Sequence, residues 1–140
     1  MADVTQWVVW ANSALDPILF LENERGQVIG TRLTQNPKGI QVLEKTLGDG
    51  RQWLCGETFS VADVAVGAYL LYMPQFFPDI NVGAWPAISR YMLRCAQRPA
   101  YKKAYEKEQP LVEAKCKAYL DSPPAGGAGG KKNFGFNIFG

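Results

Sequence analysis

Apolar residues recur at helical spacing through most of the first 121 positions, and between them lie the proline, glycine and capping residues that start and stop helices. Residues 4 to 22 spread Trp7, Val8, Trp10, Ala11, Leu15, Ile18 and Leu19 over more than one face. Such a helix, capped by Asp3, wants neighbours on several sides. Pro17 is expected to bend it, because a mid-helix proline removes a hydrogen bond and crowds the preceding turn. Asn23 to Gln27 reads as a loop, with a short turn before Asn36-Pro37. Asn36 as cap and Pro37 at the first helical position then begin a second helix carrying Ile40, Leu43 and Leu47, ended by Gly48-Asp49-Gly50. A third, the most apolar, runs from Val61 to about Met73, where Pro74 and Pro78 break it and Phe76 and Phe77 are expected to fold back as core. Trp85, Ile88, Met92 and Cys95 mark a fourth, Pro99 to about Lys107 a fifth, and Pro110 opens a sixth with Val112, Cys116 and Tyr119 on one face.

The start of the Val61 helix is the most specific stretch. With Ser60 as N-cap, its hydroxyl accepts from the third helical N–H and the Asp63 carboxylate reaches back to the N–H of Ser60, a capping box with Asp in the usual Glu or Gln place. Phe59 and Val64 fall where a hydrophobic staple would clamp the incoming chain. Upstream stands Trp53-Leu54-Cys55-Gly56-Glu57, and downstream Trp85-Pro86, Arg90-Tyr91-Met92 and Arg98-Pro99-Ala100-Tyr101. From about Thr5 to about Tyr105 this arrangement resembles the carboxy-terminal domain of the cytosolic glutathione transferase superfamily, in which a Ser/Thr-x-x-Asp box opens the central buried helix. The resemblance implies an all-α helical bundle, placed over residues 1–121, and the change of composition after it sets off an extended tail over 122–140.

Composition narrows the chemistry. With 47% apolar residues the chain builds a core without disulfides, and a net charge of +2 gives no global field for nucleic acid or membrane. Histidine is absent, which removes the commonest general base, the commonest metal ligand and any Ser/His or Cys/His nucleophile pair. Cys55, Cys95 and Cys116 are odd in number and widely spaced, so neither a disulfide scaffold nor a zinc site is expected. Cys55 reads as a buried turn cysteine, and a reducing compartment, cytoplasm or plastid, fits all three. No apolar run spans a bilayer, and Met1-Ala2-Asp3-Val4 lacks a signal-peptide layout, so a soluble chain is expected. Arg90, Arg94, Arg98 and Lys102 recur every fourth residue, but Pro99 interrupts the helix that would align them, so a solvated face is expected and nucleic-acid binding is not.

After Leu120 the character changes. Ala125 to Gly130 has the composition of a flexible tether, and Phe134, Phe136 and Ile138 alternate with Gly135 and Asn137 ahead of Phe139. If extended, this segment puts its apolar groups on one side, as a peptide that adds to a sheet edge does.

In glutathione transferases a separate thioredoxin-like amino-terminal domain binds glutathione and supplies the reacting residue, and no position here matches it. The resemblance also implies that Trp7, Trp10, Ala11 and Ser13, on the first helix, either line an apolar groove or belong to core and interface. From these points follows the expectation of a non-catalytic interaction or scaffold subunit, without catalytic, cofactor-binding or metal-ligating residues. Its partners would be other protein subunits, plastid light-harvesting assemblies included, or a second copy paired through the first helix. Trp7, Trp10, Phe134, Phe136, Ile138 and Phe139 would carry binding, and Phe59, Ser60 and Asp63 would cap. Similar domains serve as platforms in the gamma subunit of the eukaryotic elongation factor and in aminoacyl-tRNA synthetase complexes. The alternative is a glutathione transferase fragment or split enzyme acting on hydrophobic electrophiles.

Overall fold

Helix α1 (Val4–Trp10) begins at a capping box: Asp3 accepts from the Gln6 N–H at 2.9 Å and its own N–H donates to Gln6 Oε1 at 3.1 Å. The computed structural model describes residues 3–121. Beyond α1 the helix widens into a π segment, Ala11–Leu15, and tightens again as α2 (Asp16–Leu19). The Asp16 N–H bonds to the Ala11 carbonyl, five residues back. This widening is how the chain meets Pro17: extra room opens in the ladder next to a residue that cannot donate. The side chains of Asn12 and Ser13 donate to the Val8 and Val9 carbonyls at 2.9 and 2.8 Å, one turn back. Helical structure stops at Leu19, three residues short of the expected end.

Where a loop was expected there is a hairpin, β1 (Leu21–Glu22) antiparallel to β2 (Val28–Gly30). Leu21 pairs with Gly30 and Glu22 with Val28, so Ile29 is an inserted, bulged residue. Asn23 closes the loop through its Oδ1, which accepts from the N–H groups of Arg25 and Gln27, and Gly26 takes the left-handed conformation the turn requires (φ 76°). A two-stranded sheet leaves the domain helical throughout the rest of its core, as an all-α reading requires.

A 3₁₀ turn, Leu33–Gln35, leads to α3 (Lys38–Leu47). Asn36 does not cap α3. It ends the 3₁₀ turn in the left-handed region (φ 51°, ψ 56°), and Pro37, extended, occupies the cap position. Asn tolerates that region better than other side-chain-bearing residues, so its signal was a turn signal. Ile40, Leu43 and Leu47 are buried as their spacing predicts. Gly39 lets α3 approach the first helical segment closely: a Cβ there would lie 2.9 Å from Ile18 Cδ1. Helix α4 (Val61–Leu71) closes this first unit, which ends at Leu70. It buries Ala62, Val66, Leu70 and Leu71.

The second unit begins at Leu71. Short α5 (Met73–Phe76) and a 3₁₀ turn at Val82–Ala84 precede α6 (Pro86–Ala96), α7 (Pro99–Ala104) and α8 (Gln109–Asp121). Helices α6 and α8 pack on each other and bury Ile88, Tyr91, Met92, Cys95, Val112, Cys116 and Tyr119. Two buried polar side chains are tied here: Gln109 Nε2 of α8 donates to the Ala96 carbonyl at the end of α6 at 2.9 Å, and Ser89 Oγ of α6 to the Val82 carbonyl of the 3₁₀ turn at 2.9 Å. Phe76 and Phe77 do not both fold into the core. Phe76 is half exposed, because the short α5 directs it outward beside Tyr72, and Phe77 is half-buried.

Candidate functional site

Three places in the first unit gather polar or aromatic chemistry. The first is the start of α4. Asp63 is 1% exposed; its Oδ2 accepts from the Ser60 N–H at 2.9 Å and its Oδ1 from the Leu54 N–H at 2.9 Å. Ser60 Oγ accepts from the Ala62 N–H at 3.2 Å, the second helical N–H and not the expected third, because the Asp63 N–H is taken by the Ser60 carbonyl at 3.0 Å. The box therefore fastens the helix start to the preceding turn, in which Trp53 and Gly56 exchange backbone bonds and Gly56 sits at φ 117°. Phe59 lies edge-to-face on Trp53, ring centroids 5.0 Å apart, while Val64, the expected staple partner, keeps 53% of its surface exposed. Both carboxylate oxygens of Asp63 are engaged by backbone donors, which suits it to hold structure and leaves little capacity for proton transfer.

Beside this turn Cys55 is half-buried, not fully buried as expected, because the short turn leaves its side chain near the surface. Arg51 spans the turn, donating Nη1 to the Leu54 carbonyl at 2.7 Å and pairing with Asp49 at 2.8 Å. That hydrogen bonding holds the Asp49 carboxyl below its ordinary value and raises Arg51.

The second place is the first helix. Trp7 is buried, its indole N–H without an acceptor among the described residues, and Trp10 stands edge-to-face against it at 5.6 Å, half-buried. Ala11 is fully buried and Ser13 is exposed with its hydroxyl on Val9. The four residues expected to form a groove are thus divided, two into the core and two toward the surface, with Val9 59% exposed beside them. Sequence reading missed Tyr69, whose hydroxyl donates to Asn12 Oδ1 at 2.7 Å; no local motif links positions 57 residues apart. Burial, with the Asp16 carboxylate nearby, pushes the Tyr69 phenol up.

The third place is a cavity of about 390 Å³ where α2 gives way to the hairpin. Pro17, Ile18, Phe20 and Leu21 form its apolar wall, and Asp16, Glu22 and Arg32 bring charge to it. Its frame is stitched by backbone: the Arg32 N–H donates to the Ile18 carbonyl at 2.8 Å and the Phe20 N–H to that of Asp16 at 2.8 Å.

Elsewhere the structure separates what the sequence placed in series. Arg98 caps α7, so the Arg90, Arg94, Arg98 and Lys102 series is shared between two helices. Among the described residues no group of His, Cys, Asp and Glu is arranged to hold a metal ion, and no helix is long and apolar enough to cross a membrane. Phe134, Phe136, Ile138 and Phe139 lie outside the described residues.

The family model for the glutathione S-transferase C-terminal domain matches residues 12–99, more than half of the chain and inclusive of the Ser60–Asp63 box. The chain belongs to that family. Glutathione S-transferase 1 of Manduca sexta is 35% identical over 66 residues, 47% of this chain. The match spans 30% of that relative's length. Both findings point toward glutathione transferase chemistry and overturn the expectation of a non-catalytic scaffold or plastid light-harvesting subunit. That expectation drew on the lack of a thioredoxin-like unit, and where this chain begins does not bear on what the protein does.

Proposed function

We propose that this domain is the helical half of a glutathione transferase acting on apolar electrophiles. The match to the family's C-terminal domain over residues 12–99 carries the reading. In this division of labour, a thioredoxin-like domain holds glutathione and the reacting residue, and the helical half offers apolar surface to the electrophile. The surface of the first helix around Val9, Trp10 and Ser13 is suited to that role: it sets an exposed valine and a half-buried indole beside a hydroxyl. Three free cysteines support a reducing compartment, and pairing of two copies belongs to the same reading.

The test uses the protein isolated from its native source. Retention on immobilised glutathione and conjugation of a chloronitrobenzene are expected, and absence of both overturns the proposal. Trp10→Ala should raise KM for the electrophile several-fold with KM for glutathione unchanged. Equal changes in both would move Trp10 out of the substrate surface.

A further inference from the structure

The cavity at the end of α2 has a composition that the transferase reading does not use. Its volume of about 390 Å³ falls within the range of small-molecule sites. One side is apolar, from Pro17, Ile18, Phe20 and Leu21. Asp16, Glu22 and Arg32 line the same space, and none of the three side chains has a hydrogen bond or ion pair to another described residue. Charges in the described ion pairs, Arg51 with Asp49 and Lys117 with Glu113, are satisfied within the chain. Here two acidic residues and an arginine line one small space without an ion pair between them, Glu22 and Arg32 exposed and Asp16 with the Tyr69 phenol nearby, so each can engage a ligand group without first losing an ion-pair partner.

An apolar neutral molecule would use the wall and leave the charges idle. A simple cation would serve Asp16 and Glu22 and meet repulsion from Arg32; a simple anion would meet the reverse. Only a molecule carrying both charges beside an apolar body uses all seven lining residues. We infer that this cavity binds small zwitterions with an apolar side chain, of the class of free apolar amino acids, the ammonium toward Asp16 and Glu22 and the carboxylate toward Arg32. Guanidinium and carboxylate match in planar, two-point geometry, which favours Arg over Lys at that place. The backbone bonds from Arg32 to Ile18 and from Phe20 to Asp16 hold the charged and apolar walls at fixed spacing. Binding should be weak, because the charged groups are solvated and exposed pairs contribute little.

The experiment is a titration of the isotope-labelled chain followed by amide chemical shifts, with three probes: L-phenylalanine, 2-phenylethylamine and 3-phenylpropionate. Shifts are expected at Asp16, Phe20, Leu21, Glu22 and Arg32, with L-phenylalanine bound about threefold more tightly than either singly charged analogue, the ratio that one exposed charge pair supplies. Arg32→Gln, a surface change, should abolish the advantage over phenylethylamine, and Asp16→Asn with Glu22→Gln the advantage over phenylpropionate. Unchanged amide spectra away from the cavity verify that each variant is folded. Equal affinities for the three probes, or an advantage that survives these substitutions, would overturn the inference, as would shifts that avoid these residues. Glutathione conjugation is not part of the readout, so failure here leaves the transferase reading standing, and the converse holds.

Discussion

The chain uses one device, the capping box, at two helix starts in very different surroundings. At α1 the Asp3–Gln6 box is exposed: each of its two hydrogen bonds competes with water, and the helix behind it is seven residues long. At α4 the Ser60–Asp63 box is part-buried around a fully buried carboxylate, which takes a second backbone group, the buried Leu54 N–H, nine residues upstream. The first box satisfies local donors. The second joins a turn to a helix and leaves the Leu54 N–H buried without a partner if the carboxylate is removed. Burial, and not the motif, decides how much a cap contributes.

The largest effect should follow Asp63→Ala, which strands the N–H groups of Leu54 and Ser60. At about 1–3 kcal/mol for each buried donor left unsatisfied, a loss of about 3 kcal/mol is expected in chemical denaturation. Asp63→Asn keeps one accepting oxygen and should fall between Ala and the native chain. Ser60→Ala, which removes the acceptor for Ala62 alone, should lose about 1 kcal/mol. A loss at Asp63 no larger than at Ser60 would mean that the Leu54 tie contributes nothing and that the two boxes are equivalent.

Glu113 on α8 offers an intermediate case, a carboxylate held from side chains at moderate exposure. Hydrogen bonds from Gln109 and Gln97, with Lys117 beside it, hold its pKa down to about 2. A carboxyl depressed on folding stabilises the native state above its unfolded pKa, about 4.5, and that contribution disappears as pH falls toward about 2. The native chain should therefore exceed Glu113→Gln in stability at neutral pH, with the gap closing between about pH 4.5 and 2. Because the side chain is 19% exposed, solvent screening should keep the gap well below that of Asp63. A gap that stays constant with pH would show that the charge of Glu113 is immaterial.

What could be read in advance follows the same division between local and distant contacts. The helix starts at Asp3 and Pro99, and that of α8 to within one residue of Pro110, were visible because capping and proline geometry act within a few residues, and Ile40, Leu43 and Leu47 because burial follows helical period. The hairpin was not: β1 and β2 span two and three residues, too few for alternation, and Val28 and Ile29 face outward. Asn23 with Gly26 was the available signal. Ser60 and Asp63 could be paired from their spacing, but the Leu54 tie could not, since nothing local selects that turn N–H as the partner. The cavity charges, drawn from Asp16, Glu22 and Arg32, meet only once α2 and the hairpin have folded.

The smallest effect should come from the exposed box, and it is the one that closes the comparison. Asp3→Ala removes an acceptor whose donor, the Gln6 N–H, can turn to water, so only about 0.5 kcal/mol should be lost in the same denaturation experiment. The loss should show as fraying, with faster amide exchange at Gln6 and Trp7 and no change at Ala62 or Asp63. The reason lies in coupling: α1 is anchored by the burial of Trp7 and Ala11, which outlasts its cap, whereas the lead-in to α4 depends on a carboxylate. If Asp3→Ala were as damaging as Asp63→Ala, the first helix would depend on its start in the same way, and exposure would cease to explain the difference between the two boxes.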